Sequence, residues 1–329
     1  MDKILHDIPG NPLPDPHRAG YFESHDGARL RYAVFKGTTY PSKGTVVLVH
    51  GRSECIEKYA ETIRDLTRKG LWVATYDLRG QGLSDRPLKD PLRGHVRRFT
   101  DYERDLESFL EKVALPDARL PLFLMAHSTG GLIALATAPK LGNRIQRMVL
   151  SAPFVGLHGE IMAASKIFAL ARFACLLGVG NMALSKGGKP PAFDNNPLTT
   201  DADRFMRNVN IVTGVPALAL GPPSARWLHE CDKAIRRVNS PDHLTRITIP
   251  TLLLAPMQDG VVPFVAQEQL ARHFRACQLL PIPGARHEVL QEQDRYREQA
   301  LAAIHAFIPG SDAAESLGGE EDETEQQAL

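Results

Sequence analysis

Apolar and polar positions follow two different periods along the chain, and each period predicts a different element. Short apolar runs rich in β-branched residues predict buried strands, whereas longer stretches with one apolar face predict helices. Seven runs have the strand pattern, at residues 29–35, 45–50, 71–77, 121–127, 147–152, 251–256 and 278–283. Helical patterns lie at residues 54–69, 101–113, 130–141, 263–274 and 293–307. Strands that alternate with helices predict an α/β fold, with a mostly parallel central sheet flanked by helices.

One long interval lacks the strand pattern. Residues 154–248 contain several helical patterns and no convincing strand, although a crossover between parallel strands needs only about a dozen residues. We predict that this interval is a helical cap inserted between two parts of the core, residues 20–153 and 249–309. Residues 1–19 would then form an N-terminal extension, and residues 310–329 an acidic tail.

Charge is distributed unevenly along the chain. The 329 residues have a formal net charge of +1, but seven of the acidic residues lie in residues 310–329, so the rest carries about +8. The composition of the tail predicts disorder. The basic remainder would favour contact with anionic membrane surfaces, and an ordinary solvated surface with a solubilising tail is the commoner alternative. We expect no nucleic-acid partner.

Cysteine usage and apolar segments bear on the cellular compartment. The cysteines are Cys55, Cys175, Cys231 and Cys277. Because they lack C-x-x-C spacing, we predict neither a disulfide framework nor a zinc site. The first thirty residues lack an apolar core of signal-peptide length, and the most apolar stretch, residues 167–184, is interrupted by Arg172. We expect a cytoplasmic location, with peripheral contact at the inner membrane face.

The segment PLFLMAHSTGG places Ser128 between a predicted strand and a predicted helix. A serine on such a sharp turn needs small neighbours two positions away on either side, and Ala126 and Gly130 occupy those positions. The pattern A-x-S-x-G is therefore a variant of the nucleophile elbow G-x-S-x-G. A serine that merely caps the following helix is the alternative explanation.

A serine nucleophile needs a base, and that base needs an acid to hold it. Asp259 follows the predicted strand at residues 251–256, and His287 follows the predicted strand at residues 278–283. The other late histidines, His273 and His305, fall inside helical patterns. The order serine, acid, histidine, each after a strand, is that of α/β-hydrolase triads. We therefore predict Ser128 as nucleophile, Asp259 as acid and His287 as base.

The oxyanion of the reaction needs hydrogen-bond donors close to the serine. The predicted strand at residues 45–50 ends in His50-Gly51, where the glycine lets the backbone approach a substrate carbonyl. We predict the backbone N–H groups of Arg52 and Thr129 as the two donors. An ordinary strand-to-helix turn at this position is the alternative.

These residues and their surroundings resemble the α/β-hydrolase superfamily, in the branch of bacterial lysophospholipases and monoacylglycerol lipases. The resemblance runs from about residue 20 to residue 308 and is weakest through the cap. It rests on the segments VLVHGRSECIEKYAE, YDLRGQGLSDR, RGHVRRFTDYERDL, AHSTGG, QDGVVP and GARHE. It implies an α/β-hydrolase fold with the same triad and the same oxyanion donors. Ala126 departs from the commonest elbow, and Cys55 stands where the lipase side often has histidine.

The resemblance implies a serine hydrolase that cleaves esters of acyl lipids through an acyl-enzyme, without a metal or an organic cofactor. We favour a lysophospholipase, because an Arg52 guanidinium at the mouth of the site would match a phosphodiester. Pairing of Arg52 with Glu54 or Glu57 is the alternative. His127 is a second predicted substrate contact.

Other functions remain open on the same fold. A monoacylglycerol lipase, a general carboxylesterase or a lactonase would use the same triad. A non-catalytic ligand-binding hydrolase fold is a remote alternative, because such a protein would normally have lost a triad member. A haloalkane dehalogenase or an epoxide hydrolase is disfavoured, since it needs an aspartate at the position of Ser128.

Overall fold

The computed structural model describes residues 4–159, 163–185 and 192–308, and an eight-stranded sheet runs through its centre. The strands are β1 (Arg18–Glu23), β2 (Arg29–Phe35), β3 (Gly44–Val49), β4 (Leu71–Tyr76), β5 (Leu122–His127), β6 (Arg147–Ser151), β7 (Thr251–Pro256) and β8 (Cys277–Ile282). Their spatial order is β1-β2-β4-β3-β5-β6-β7-β8. β2 runs antiparallel to both of its neighbours, and all other pairs are parallel. The predicted mostly parallel α/β sheet is confirmed.

Helices cover both faces of this sheet. They are α1 (Ala60–Arg68), α2 (Phe99–Phe109), α3 (Leu115–Asp117), α4 (Thr129–Thr137), α5 (Ala164–Leu176), α6 (Ala202–Gly214), α7 (Ala225–Val238), α8 (Pro241–Leu244), α9 (Phe264–His273) and α10 (Asp294–Phe307). A π-helical turn, Leu110–Ala114, joins α2 to α3, and a 3-10 turn, Ile56–Tyr59, precedes α1.

Alternating side chains of the central strands build two separate cores. In β3, Val47 and Val49 pack on the side of α2, α4 and α7, whereas Val46 and Leu48 pack on the side of α1 and α10. Every residue of β3, β4, β5 and β7 is buried. Strands covered on both faces are nearly continuous apolar runs, which is why the sequence pattern predicts them.

All seven predicted strands are present, and β1 is an additional one. β1 forms the edge of the sheet, and Phe22 is its only buried residue. Its sequence, RAGYFE, has no apolar run, so the pattern misses it.

The described part of residues 154–248 contains helices and turns but no strand. α5 packs along α7, and α7 packs in turn against α2 and α4. Trp227, Cys231 and Ala234 of α7 belong to the core on that face of the sheet. α5 and α7, which lie in the predicted cap interval, are therefore part of the helical layer on this face of the sheet.

Three further features bear on the predictions. The four cysteines are free thiols. No helix among residues 4–159, 163–185 and 192–308 is long and apolar enough to cross a membrane. The predicted disordered tail, residues 310–329, lies outside the described residues.

Candidate active site

Ser128 occupies a strained turn between β5 and α4. Its φ is +50°, in the left-handed region that non-glycine residues rarely adopt. Its N–H donates to the Ser151 carbonyl at 3.1 Å. A Cβ on Gly130 would lie 2.3 Å from the Val49 carbonyl oxygen, so glycine is required there. This backbone holds the Ser128 side chain at the end of the sheet, as in a nucleophile elbow.

The structure brings Ser128, His287 and Asp259 into one hydrogen-bonded chain. His287 Nε2 lies 2.9 Å from Ser128 Oγ, and His287 Nδ1 lies 2.8 Å from Asp259 Oδ2. The backbone N–H groups of Val261 and Val262 each donate to Asp259 Oδ1 at 2.8 Å. Because a carboxylate can only accept, Nδ1 donates to Asp259 and Nε2 is left to accept from the serine hydroxyl. All three triad side chains are buried.

The loop after β3 lies against this serine. A Cβ on Gly51 would be 3.1 Å from Ser128 Cβ, so the glycine permits the close approach. Thr129 is the first residue of α4, where a backbone N–H has no partner inside the helix. Within the described part of the chain, neither the Thr129 nor the Arg52 backbone N–H donates to another residue. Both donors are thus free beside Ser128.

Residues that the sequence analysis did not select hold this loop in place. Ser53, with φ +61°, donates its N–H to Gln81 Oε1 at 2.6 Å. Gln81 belongs to the segment YDLRGQGLSDR, which therefore directly supports the loop after β3. We call this loop, residues 50–55, the oxyanion loop because it carries the Arg52 N–H. Glu54 Oε2 accepts from the Gly51 N–H at 2.5 Å. The sequence contains one indication of this arrangement, because Glu54 and Lys58 are four residues apart, a spacing at which opposite charges commonly pair.

The Arg52 side chain is a half-buried cation that forms no ion pair with a described residue. Its Nη2 donates to the Gly221 carbonyl, its Nη1 donates to Ser53 Oγ at 3.0 Å, and its guanidinium lies 5.5 Å from the centre of the Trp227 ring. Nε is buried without a hydrogen-bond partner among the described residues. Burial lowers the Arg52 pKa to about 10.

The alternative ion pairs proposed for Arg52 do not form. Glu54 binds the Lys58 ammonium at 2.8 Å, and Glu57 binds the Arg31 guanidinium at 2.7 Å. No carboxylate of residues 4–159, 163–185 and 192–308 forms an ion pair with Arg52. Arg52 instead connects the oxyanion loop to the loop before α7 and faces the cavity described below.

His127 lines the cavity beside Ser128. It lies between the oxyanion loop and the loop that carries His287. Its ring centre is 4.9 Å from that of His287, and its Nδ1 donates to the Ser151 carbonyl at 3.1 Å. Its Nε2 lies 3.7 Å from Glu54 Oε1. Burial, the largest influence, lowers the His127 pKa to about 4, so the ring is neutral near pH 7.

Residues 196–200, which precede α6, hold the loop between β8 and α10 in place. We call this loop, residues 283–293, the histidine loop because it carries His287. Arg286 Nη1 donates to the Asn196 carbonyl at 2.8 Å, and the Glu288 N–H donates to the Leu198 carbonyl at 2.8 Å. Thr200 Oγ1 donates to Glu292 Oε2 at 2.5 Å. The predicted cap interval therefore contributes directly to the position of His287.

A cavity of about 1020 Å³ opens onto Ser128 and His287. Its apolar walls include Phe154, Leu157, Phe205, Val209, Ile211, Val212, Leu218, Trp227 and Leu228. Residues 154–248 supply these side chains, and Arg52 lines the cavity from the core. The lining suits an acyl chain, with polar groups confined to a few positions.

A family profile described as "Serine aminopeptidase, S33" (Hydrolase_4) matches residues 40–294. The chain belongs to the Hydrolase_4 family. The probable lysophospholipase L2 of Haemophilus influenzae is 32% identical over 265 residues, covering 80% of this chain and 83% of that protein. Lysophospholipase L2 of Escherichia coli is 30% identical over 310 residues, covering 87% and 86%. Human monoglyceride lipase is 28% identical over 252 residues, covering 77% and 75%.

Solved structures extend the likeness of this Hydrolase_4 chain to the fold. A soluble variant of monoglyceride lipase from Saccharomyces cerevisiae, in complex with a substrate analog, superposes with a TM-score of 0.73 at 22% identity. The superposition covers 91% of this chain and 98% of that one. The predicted α/β-hydrolase fold and the resemblance to the lysophospholipase and monoacylglycerol lipase branch are confirmed. The chain is an enzyme of the carboxylic ester hydrolase class.

Proposed function

We propose that Ser128 is the nucleophile of a serine hydrolase, with His287 as its base and Asp259 as the acid that orients the imidazole. The continuous chain of hydrogen bonds from Asp259 through His287 to Ser128 carries this proposal. A serine hydroxyl attacks an ester only when an adjacent base removes its proton. The backbone N–H groups of Arg52 and Thr129 would stabilise the oxyanion, and donors of this kind are worth roughly 10²–10³ in rate.

The first half of the reaction forms an acyl-enzyme. His287 Nε2 takes the Ser128 proton as Oγ bonds to the carbonyl carbon, and the carbonyl oxygen becomes the oxyanion. The tetrahedral intermediate then collapses, the bond to the alcohol oxygen breaks, and His287 returns the proton to that oxygen. Asp259 accepts from Nδ1 throughout and stabilises the imidazolium.

Water completes the second half of the reaction. His287 takes a proton from the water as its oxygen attacks the acyl carbon. Collapse of the second intermediate breaks the bond to Ser128 Oγ, which recovers its proton from His287. A carboxylic acid leaves, and the reaction needs no metal or organic cofactor.

Among acyl esters, we propose a lysophospholipid as the substrate. The bacterial relatives named lysophospholipase L2 support it, and so does the Arg52 guanidinium in the cavity wall, whose buried Nε has no hydrogen-bond partner among the described residues. A phosphodiester forms strong charge-assisted hydrogen bonds with a guanidinium. It would satisfy the buried Nε while the acyl chain contacts the apolar walls.

A monoacylglycerol is the second candidate, because relatives named monoglyceride lipase also align with this chain. It would occupy the same apolar walls and would not require Arg52. A small ester or lactone would leave most of the cavity unfilled. A non-catalytic ligand-binding role is disfavoured, because it gives no reason to keep the three triad side chains aligned.

We also propose that residues 154–248 act as the cap and contact an anionic membrane, as expected of an enzyme at the inner face of the cytoplasmic membrane. α5 and the turn after it expose apolar side chains to solvent: Leu170, Phe173, Leu176, Leu177, Val179 and Met182. Clustered exposed apolar side chains are typical of membrane or protein contacts. They support a peripheral contact through which lipid esters reach the cavity.

An activity panel tests the substrate assignment. We expect a 16-carbon lysophosphatidylethanolamine to have a higher kcat/KM than the monoacylglycerol of the same chain, and a short p-nitrophenyl ester to have the lowest. A higher kcat/KM for the monoacylglycerol would replace the lysophospholipid as the proposed substrate.

Active-site labelling tests the nucleophile separately. A fluorophosphonate should label the protein once, and Ser128→Ala should abolish both labelling and hydrolysis. Ser108→Ala, at a buried serine of α2, is the matched control and should keep both. Asp259→Asn should lower kcat about 10⁴-fold while the fold is retained, because the imidazole loses its orienting acceptor. Labelling that survives in Ser128→Ala would place the nucleophile elsewhere.

A further inference from the structure

One buried ammonium joins the two loops of the site. Lys58 Nζ donates to Glu54 Oε1 at 2.8 Å and to Glu288 Oε1 at 2.7 Å. Glu54 belongs to the oxyanion loop, and Glu288 directly follows His287 in the chain. The two carboxylates are 234 residues apart in sequence and share this one partner. Their side chains and that of Lys58 are at most 8% exposed.

The connection extends to the backbone of the oxyanion loop. Glu54 Oε2 accepts from the Gly51 N–H at 2.5 Å and from the Tyr59 hydroxyl at 2.8 Å. Gly51 directly precedes Arg52, so this hydrogen bond holds the backbone one peptide unit before the Arg52 N–H. The ammonium therefore acts on the proposed oxyanion donor through Glu54 and on the histidine loop through Glu288.

The cluster places one ammonium group between two carboxyl groups. The Lys58 ammonium holds the Glu54 pKa far below its usual range, and the two carboxylates raise the Lys58 pKa. Glu288 Oε2 is buried without a hydrogen-bond partner in the described part of the chain. The titratable groups that face the cluster are His50, Cys55, Tyr59, His127 and His287. Lys58 forms ion pairs with both carboxylates, whereas His127 lies 3.7 Å from Glu54.

We infer that Lys58 is a positioning residue that couples the oxyanion loop to the histidine loop, so that the oxyanion donor and the base keep one relative geometry. The inference rests on the proposed Ser128 chemistry. Without the ammonium, two buried carboxylates would face each other. Two like charges that close together in a buried site repel each other at a high cost in free energy. The loops would therefore separate, or one carboxylate would take up a proton.

The test compares Lys58→Met with Lys58→Arg on a short p-nitrophenyl ester, which needs no headgroup contact. We expect Lys58→Met to lower kcat at pH 8 by about 10- to 100-fold, a part of what one lost oxyanion donor costs. KM should change less than about threefold, because the acyl walls are untouched. Lys58→Arg keeps the charge and should restore most of kcat. Lys140→Met removes an exposed lysine paired with Glu107 and is the matched control.

The pH dependence separates positioning from a purely structural role. In Lys58→Met, protonation of the Glu54–Glu288 pair restores a hydrogen bond between the loops as the pH falls. The ratio of variant to wild-type kcat should therefore rise several-fold from pH 8 to pH 6. A kcat equal to that of the wild type, or a loss that is the same at both pH values and unrelieved by Lys58→Arg, overturns the inference.

Two controls keep this outcome distinct from other failures. If Lys58→Met does not fold, Glu288→Ala cuts only the link to the histidine loop, and the coupling then requires a loss in kcat at unchanged KM. An unchanged kcat in Glu288→Ala would overturn the inference as well. If the wild type shows no hydrolysis that depends on Ser128, the proposed function fails instead.

Discussion

Arg52 contributes to the proposed reaction in two separable ways, because its backbone and its side chain contact different groups. The backbone N–H is a proposed oxyanion donor and survives any substitution except proline. The guanidinium binds the Gly221 carbonyl and packs on Trp227, and one buried N–H finds no partner in the described part of the chain. A substitution of the side chain therefore tests substrate binding and the brace to Gly221 while it spares the proposed chemistry.

We predict that Arg52→Ala lowers kcat/KM for a lysophospholipid by about 10- to 150-fold, since a hydrogen bond to a charged group is worth roughly 1.5–3 kcal/mol. A monoacylglycerol of the same acyl chain should lose much less, because it has no phosphate. Steady-state kinetics on the two substrates measures the difference.

Arg93→Ala is the matched control for this prediction. Arg93 also lines the cavity but pairs with Asp90 at 2.9 Å, so its charge is already compensated. We expect a small effect on both substrates. Equal losses on both substrates in Arg52→Ala would assign the guanidinium to the Gly221 brace and remove the main structural support for a phosphate-bearing substrate.

His127 makes the stability of the fold depend on pH. Its pKa is about 4 in the folded protein, against about 6.5 for an unfolded histidine. Between these values the unfolded chain binds the extra proton, so the free energy of unfolding falls as the pH decreases through this window.

We predict that His127 contributes about 2 kcal/mol to the difference in unfolding free energy between pH 7 and pH 5. His127→Asn, whose amide can still donate to the Ser151 carbonyl, should reduce that difference by this amount in urea titrations. His273→Gln, at an exposed histidine of α9, is the comparison. An unchanged difference in His127→Asn would mean that the ring titrates at its ordinary pH in the folded protein.

At the scale of elements, the junction of β5 and α4 is the most constrained part of the site. The helix starts immediately after Ser128, and its first turn packs against the end of β3. A Cβ at Gly130 would meet two backbone oxygens, those of Val49 and His50, at 2.3 and 2.6 Å. Neither oxygen can move without displacing a central strand.

We predict that Gly130→Ala costs about 3 kcal/mol or more of stability, or prevents folding, because backbone atoms cannot relax as a side chain would. Gly214→Ala is the control, since an added Cβ there meets no atom within 4 Å. That variant should be as stable as the wild type or more stable by up to about 1 kcal/mol. Thermal unfolding of both variants, with fluorophosphonate labelling of the folded fraction, measures these effects. A fully stable Gly130→Ala would mean that the turn can open.

The sequence predicts those elements whose burial leaves a local pattern. β3, β4, β5 and β7 are apolar runs because helices cover both faces of the sheet. The order of Ser128, Asp259 and His287 follows from strand ends that meet at one edge. β1 leaves no such pattern, since its sequence, RAGYFE, has no apolar run around the buried Phe22. Long-range polar contacts leave none either: the Lys58–Glu288 ion pair joins residues 230 positions apart. Such contacts depend on the tertiary structure and are not visible in a single sequence.

At the scale of the whole molecule, charge and apolar surface act together in the proposed membrane contact. Phe173 and Leu176 of α5 are 57% and 75% exposed, and the chain without residues 310–329 carries about +8. Apolar insertion and attraction to anionic lipids add to each other. The seven acidic residues of the tail oppose that attraction.

We predict that Phe173→Ser with Leu176→Ser weakens binding to phosphatidylglycerol vesicles at least about 10-fold, from the apolar area lost. Hydrolysis of a soluble ester should be unchanged. Truncation after residue 309 should strengthen vesicle binding, and salt should diminish that gain. Vesicle sedimentation measures binding, and a large fall in melting temperature on truncation would show that the tail docks on the folded protein.

The clamp between residues 196–200 and the histidine loop limits how freely the substrate range of this enzyme can be engineered. The acyl walls come largely from α6 and the loop after it, so an exchange of residues 208–220 with a relative would introduce a new specificity while it leaves the contacts of Arg204 and Arg207 with the histidine loop and that of Gly221 with Arg52 in place. An exchange of residues 192–223 would also remove the acceptors of Arg286 and the Glu288 N–H. Such a chimaera should bind the new ester but turn it over slowly. Residues 208–220 can thus be exchanged independently, whereas residues 196–207 and Gly221 are part of the framework that holds the site.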